Sequence, residues 1–410
     1  MTPTESQLTR YSRVVLAFTA ACLPLYAARF HYGPLPTTLL ENLIVVTLAV
    51  FLIARWRDRN FAIPRTSYDI PILLLLLAGA ISVLAGSDHR AALGLYRAYF
   101  IEPVAIFYVA VDLFKRVTDV KTLLIGLGVG TSIFAVLNMA ALGIAIAQHA
   151  VKLGAPPSAI YTSSNEVAMF LEPPFAMASA LCLYADGGHV RRWALAWWLL
   201  VSAALVLTFS RGALGALVVY AAATIITARP QLRRPLIVAA VAVVVIAAVT
   251  LLVAANTPLV KTRFSFVAIH FSFNTRIAIY EGTLQTLMQH PLFGVGLGNY
   301  VFISHKTPLI YPHDFWLSLW VEIGLLGLLS FVFIMFKLLW SCWNASRSAT
   351  GFERGLLWGV AGALLLWTVH GFVDTPYFKN DMSVEFWIFA AIGTVTVAAV
   401  RRRLGAAGVA

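Results

Sequence analysis

Charge is scarce in this 410-residue chain: 12% of its residues are Asp, Glu, Lys or Arg, against 60% hydrophobic. A soluble domain carries about 25% charged residues, so this shortage excludes an ordinary water-exposed surface. Cysteine is scarce too. Cys22, Cys182 and Cys342 are the only three, and none has metal-ligand spacing to another, which excludes a disulfide framework and a zinc site. They read as small core residues. Short alternating apolar segments are missing, which excludes a closed β-barrel. Internal repeats and low-complexity stretches are missing as well.

Present instead are long apolar runs, with a mean hydropathy of +0.82 over the chain. Many exceed about 17 residues, enough to cross a hydrocarbon core roughly 30 Å thick. Lipid offers the backbone no hydrogen-bond partners, so such runs must be helices. The pattern predicts an all-α polytopic membrane bundle of about 12 transmembrane helices, near 13–30, 37–54, 69–86, 96–114, 121–147, 166–184, 193–209, 212–228, 235–254, 314–340, 355–373 and 383–400. Residues 1–410 read as one integral membrane domain, and the first span, preceded by Arg10 and Arg13, as retained.

The net charge of +12 invites a nucleic-acid reading, but its distribution follows topology. With both termini cytoplasmic, the inner segments hold twenty of the 30 basic residues, the positive-inside pattern. No nucleic-acid partner is expected. The lipid bilayer is.

Cations on the outer side need another reason. Arg97 and Arg211 sit at span mouths with almost no loop around them, where a charge must snorkel, pair or line a watery cavity. The longest stretch between spans, about 255–313, is an outer-face loop between the ninth and tenth. Within it "FNTRIAIYEGTLQTLMQHPLFGVGLGNY" (273–300) predicts an amphipathic helix capped by Asn274, with Ile277, Tyr280, Leu284, Leu287 and Met288 on one face. His290-Pro291 and Gly294 stop it. Arg276 then falls in the first turn, where a cation opposes the helix dipole unless an anion is to be held there. Snorkelling to lipid headgroups is the bland alternative. "GVGLG" (294–298) lacks the strand–turn–helix context of a nucleotide fingerprint.

Glu102-Pro103 and Glu172-Pro173-Pro174 place carboxylates one to two turns below the outer surface. Buried carboxylates are costly and usually paired, and Arg97, Arg211 and Arg276 are the cations on that side. At the mouth of the tenth span stands His313, followed by Asp314. Histidine titrates near neutrality, so the outer half of the bundle reads as a cavity for an anionic substrate with His313 as its general base. An interfacial histidine and purely structural ion pairs are the plain alternatives.

At these residues, over most of the chain from about residue 90 onward, the sequence resembles the O-antigen ligase family, which includes some polysaccharide polymerases. "HDFWLSLWVEIG" (313–324) resembles the family's loop-terminating His with Gly324 eleven residues on. "SRG" (210–212) resembles its short inter-span turn, and Arg276 with "HPLFGVGLGNY" (290–300) its loop segment. "SSNEVAMFL" (163–171) is similar to the family's Asn-containing entry to a middle span, with Asn165. "HGFVDTPYFKND" (370–381), with His370 and Asp374, resembles a segment near the last two spans. One departure is Asp314, where a small amide or hydroxyl is common.

The resemblance implies a glycosyltransferase without metal or other cofactor in the inner membrane of a bacterium, its site facing the periplasm. The donor would be a glycan on undecaprenyl pyrophosphate, the acceptor a hydroxyl of lipid A–core or a related glycolipid or glycan. In that scheme His313 takes the hydroxyl proton and Arg211, Arg276 and Arg97 hold the pyrophosphate. Asn165, Glu102, Glu172, Asp314, His370 and Asp374 would be supporting residues. No Asp-x-Asp motif occurs, in keeping with arginines serving where nucleotide-sugar enzymes use a metal. A repeat-unit polymerase would use the same donor. From another class, a secondary transporter fits a twelve-span bundle with proline-broken helices. It would need an ionisable relay reaching the inner side, which the spans do not suggest.

Overall fold

The computed structural model describes residues 6–33, 35–59, 62–151, 158–228, 230–234, 236–238, 266–304, 307–309 and 311–406. Its main helices are α1 (Gln7–Ala21), α2 (Leu39–Arg57), α3 (Asp69–Ala85), α4 (His89–Tyr96), α5 (Glu102–Leu113), α6 (Val120–Ala147), α7 (Ser164–Tyr184), α8 (Gly188–Leu207), α9 (Arg211–Thr227), α10 (Phe266–Gln289), α11 (Phe315–Ser348), α12 (Gly351–His370) and α13 (Asn380–Ala406). Two small antiparallel hairpins, β1–β2 (Arg29–Tyr32, Leu35–Thr38) and β3–β4 (Phe302–Ser304, Thr307–Leu309), are the strands among the described residues.

Eight helical stretches among these residues are long and apolar enough to cross a membrane: α2, α4 through α5, α6 with its leading turn, α7, α8, α11, α12 and α13. α3 and α9 are shorter apolar helices. The all-α membrane bundle stands. The ninth expected span, 235–254, lies almost wholly outside the described residues.

Local chemistry accounts for the boundaries. α1 starts at Gln7, earlier than expected, because Ser6 caps it by accepting the Thr9 N–H. It ends at Ala21 rather than near residue 30, since Pro24 cannot continue an α-helix and opens a 3₁₀ turn. Thr38 and Glu41 form a reciprocal capping box for α2. The expected fourth span starts earlier as well, with α4 running into α5 through a π-helical turn, Arg97–Ile101.

α13 is the hub, buried along nearly its whole length from Asn380 to Val400 and packed by α5, α11 and α12. α7 packs most extensively on α12. α11 bends at Gly324, whose φ of 72° suits glycine. A Cβ there would lie 2.5 Å from the Leu292 carbonyl oxygen. The kink receives the glycine-rich loop: Leu325 N–H donates to Leu292 O at 2.9 Å and Val295 N–H to Val321 O at 2.8 Å. Gly298 N–H donates to the Glu322 carboxylate at 2.6 Å. That loop is a structural clamp between the segment after α10 and the bundle.

Candidate functional site

The first residues of α7, α9, α11 and α13, and the last of α12, converge on one end of the bundle. His313 stands just before α11, held at a φ of +52°, a left-handed conformation uncommon outside glycine and enriched at functional sites. Its Nδ1 lies 3.5 Å from Asp374 Oδ1. That nitrogen is buried while the side chain keeps 27% exposure, so the open edge of the ring carries Nε2. The Tyr311 ring lies 4.6 Å from it, centroid to centroid.

Asp374 comes from the turn after α12, which is tied to the His313 segment by its backbone. Phe315 N–H donates to Gly371 O at 2.7 Å. Tyr280 of α10 donates its hydroxyl to Phe372 O at 2.7 Å and to His313 O at 3.3 Å. The second oxygen of Asp374 accepts from Asn165 Nδ2 at 3.2 Å, at the start of α7. Burial pushes the Asp374 carboxyl up, but the His313 hydrogen bond, the charges of His313 and His370 and the Thr375 N–H outweigh it and hold it at about 2. Asp374 is therefore an anion at neutral pH. It fixes Nδ1 as the proton-bearing nitrogen, leaving Nε2 as acceptor.

One guanidinium group reaches the turn of this pair, and a second lies near the first. Arg276 donates Nε–H to Val373 O at 3.0 Å, beside Asp374. Arg211, the first residue of α9, donates to Ser272 Oγ at 2.7 Å and keeps a buried Nη1 without a hydrogen-bond partner among the described residues. The two groups feel each other's charge. Like charges held close favour an anion between them.

Asn274 is no cap. α10 begins at Phe266, and the Asn274 side chain pairs with His270 one turn back, at 3.0 Å. Arg276 therefore sits in mid-helix, and the dipole argument for it falls. The buried face also differs: Ile279, Thr283 and Leu287 point inward, while Ile277, Leu284 and Met288 are exposed.

Glu172 pairs with a histidine, not with an arginine. Its Oε1 lies 2.7 Å from His370 Nδ1, and neither side chain has any exposure. Gly212 of the Ser-Arg-Gly turn packs on the same imidazole, since a Cβ there would come within 2.6 Å of His370 Nε2. The pair thus lies beneath both Arg211 and the turn bearing Asp374.

Arg97 makes its ion pairs apart from His313. It bridges Glu41 at 2.7 Å and Glu102 at 3.2 Å, and Asn380 donates to Glu102 at 3.1 Å. Asp314 caps α11 by accepting the Leu317 N–H at 2.8 Å. Burial raises its carboxyl to about 6, against the Leu317 and Trp316 N–H groups.

Several polar residues here were missed in the sequence. Glu385 is fully buried in the second turn of α13, both oxygens lacking a hydrogen-bond partner among the described residues, with Asp381 and Glu172 as electrostatic neighbours. Lys379 pairs with Glu166 at 2.6 Å. Carboxylates inside apolar runs were the available signal for Glu385, Asp381 and Glu322. All lie within about the first two turns of their helices, so these carboxylates stay near the heads of α11 and α13. Among the described residues no group of three or more His, Cys, Asp or Glu side chains is arranged to hold a metal ion.

Residues 194–332 match a family model described as O-Antigen ligase. Over that stretch the chain is similar to the O-antigen ligase family. His313, Arg211 and Arg276 lie inside the matched stretch, and Asp374, His370, Glu172, Asn165 and Arg97 outside it. No curated protein matches the chain.

Proposed function

We propose that the protein transfers a glycan from undecaprenyl pyrophosphate to a hydroxyl of lipid A–core or a related acceptor. In this reading the bundle has about twelve spans, both termini are cytoplasmic, and the site opens to the periplasmic face of a bacterial inner membrane. The observation that carries it is His313 backed by Asp374 at 3.5 Å, on a turn whose Val373 carbonyl accepts from Arg276, with Arg211 within electrostatic reach of Arg276.

The acceptor oxygen attacks the anomeric carbon from the face opposite the pyrophosphate, forming the new C–O bond as the bond to the phosphate oxygen breaks. The electron pair leaves with the pyrophosphate, and the stereochemistry inverts. His313 Nε2 takes the hydroxyl proton and later passes it to solvent. Asp374 orients the ring and balances the imidazolium charge, as a buried aspartate does in hydrolytic triads. Arg211 and Arg276 neutralise charge growing on the leaving group, preorganised positive charge serving in place of a metal ion. Arg97, engaged by Glu41 and Glu102, is assigned a structural tie.

Glycan profiling of a deletion strain tests this. Loss of long chains from lipopolysaccharide with accumulation of the lipid-linked donor is the expected result. A single repeat unit left on the acceptor would mark a polymerase, and unchanged glycans would overturn the reading.

A further inference from the structure

The His370–Glu172 pair takes no part in the proposed chemistry, yet both side chains are wholly buried and 2.7 Å apart. Three elements meet on its imidazole. From α7, Glu172 lies against Nδ1. From α9, Gly212 lies against the other edge, at Nε2 and Cδ2, where the ring has no hydrogen-bond partner among the described residues. From the turn after α12, Val373 closes on the same glycine, whose Cβ would come within 3.0 Å of Val373 Cγ2. The backbone adds to this, because His370 O accepts the Val373 N–H at 2.9 Å and the Asp374 N–H at 3.0 Å. α7 grips the turn twice. Asn165 donates to Asp374 at 3.2 Å, and Glu172, two turns further along the same helix face, holds His370. Asp374 and Arg276 both lie within electrostatic reach of the ring.

We infer that His370 is a positioning residue: its imidazole, pinned by Glu172, braces the Asp374 turn against the Ser210-Arg211-Gly212 turn and so keeps Asp374 aimed at His313. The inference rests on the proposed reaction, in which Asp374 orients the base. With Nδ1 held by Glu172, the plane of the ring is fixed and its far edge becomes a rigid stop. Gly212 approaches that edge so closely because it has no Cβ. A buried ionisable pair adds little stability over an apolar isostere, so stability alone does not account for this one. A tie between α7 and α12 with no influence on Asp374 is the competing outcome of the test.

The experiment uses purified His370→Asn and Gly212→Ala, each alone and combined with Asp374→Asn. Asparagine keeps a donor where Nδ1 stood and removes the far edge of the ring. Alanine presses on that edge from α9, and it carries the test should His370→Asn fold poorly. Single-turnover rates with a glycan donor on undecaprenyl pyrophosphate are referred to the donor-binding sites titrated in the same sample. Each single variant should lose up to about 10²-fold in rate, as a misplacement of about 1 Å does, with donor affinity retained. Added to Asp374→Asn, either change should cost much less, since residues acting through one another do not add. A second readout needs no transfer. By nitrogen NMR of histidine-labelled protein, the His313 signal, identified by its loss in His313→Gln, should show the Nδ1–H tautomer in wild type and a mixture of tautomers in either variant. Rates that fall only in proportion to binding sites, or an equal further loss on Asp374→Asn, would overturn the inference. So would a His313 tautomer unmoved in both variants. If wild type does not transfer from this donor while the tautomer shifts as expected, the reaction assignment fails and the positioning role stands.

Discussion

Asp374 and His313 face each other at 3.5 Å across two chain segments 61 residues apart, the carboxylate buried and the imidazole open on its far edge. This contact is longer than an ordinary hydrogen bond, as catalytic contacts often are before substrate binds. Asn165 and the Thr375 N–H hold the carboxylate from other directions. The aspartate is fixed first and the histidine is fixed by it.

Asp374→Asn should therefore lower turnover by about 10²–10⁴-fold while leaving donor affinity near wild type, because the amide no longer imposes the Nδ1–H tautomer. The same variant reports on stability. The native carboxyl sits near 2, below the ordinary 3.8, so the unfolded chain binds the proton more readily. Its contribution is complete above about pH 4 and is lost as pH falls toward 2. Thermal unfolding followed against pH should show a shallower acid loss in Asp374→Asn.

Arg276→Ala and Arg211→Ala should differ from the base variant in kind. Pyrophosphate is charged before and during reaction, so both should weaken donor binding as well as turnover. Lysine at either position should rescue only in part, since an ammonium cannot reproduce a bidentate phosphate contact. Donor titration and initial rates on the same preparations check this.

Gly212→Ala should injure the site without touching substrate. The added methyl would press on His370 at 2.6 Å, an overpacking that typically costs about 1–3 kcal/mol. Glu172→Ala should be harsher, because removing one member of a buried pair costs about 3–5 kcal/mol. Folded yield, melting temperature and rate should fall together in both.

Asp314→Asn should be almost silent in activity, since asparagine caps a helix about as well. Stability should respond. Burial holds the Asp314 carboxyl near 6, above 3.8, so the folded protein is the tighter proton binder. Ionisation costs stability as pH rises through about 4 to 6. The variant should melt higher than wild type above pH 6 and gain little at pH 4. A shifted pH optimum for transfer would instead assign Asp314 a part in the chemistry.

Much of this was legible in the chain itself. Apolar run length marked the helices at 69–86, 121–147, 166–184 and 212–228 within a few residues, because lipid leaves the backbone no alternative. His313 and Arg211 stood out because a charge at a span mouth needs a reason, and Arg276 because it read as a cation in a helix's first turn, a position the longer α10 removes. Asp374 was legible only through the family resemblance. Nothing local marks it, and its role depends on the turn after α12 folding back onto the head of α11. Glu172 was noticed but given the wrong partner, since helix depth does not reveal that His370 faces it. Asn274 had a plausible cap sequence, overridden by the additional helical turns that precede it.

The most direct test of the central claim is single-turnover transfer by purified His313→Ala at saturating lipid-pyrophosphate donor, with donor affinity measured on the same sample. The expected rate is about 10²–10⁴-fold below wild type with donor affinity retained. A variant that keeps more than about a tenth of the wild-type rate, well short of the loss expected of a missing general base, would contradict it.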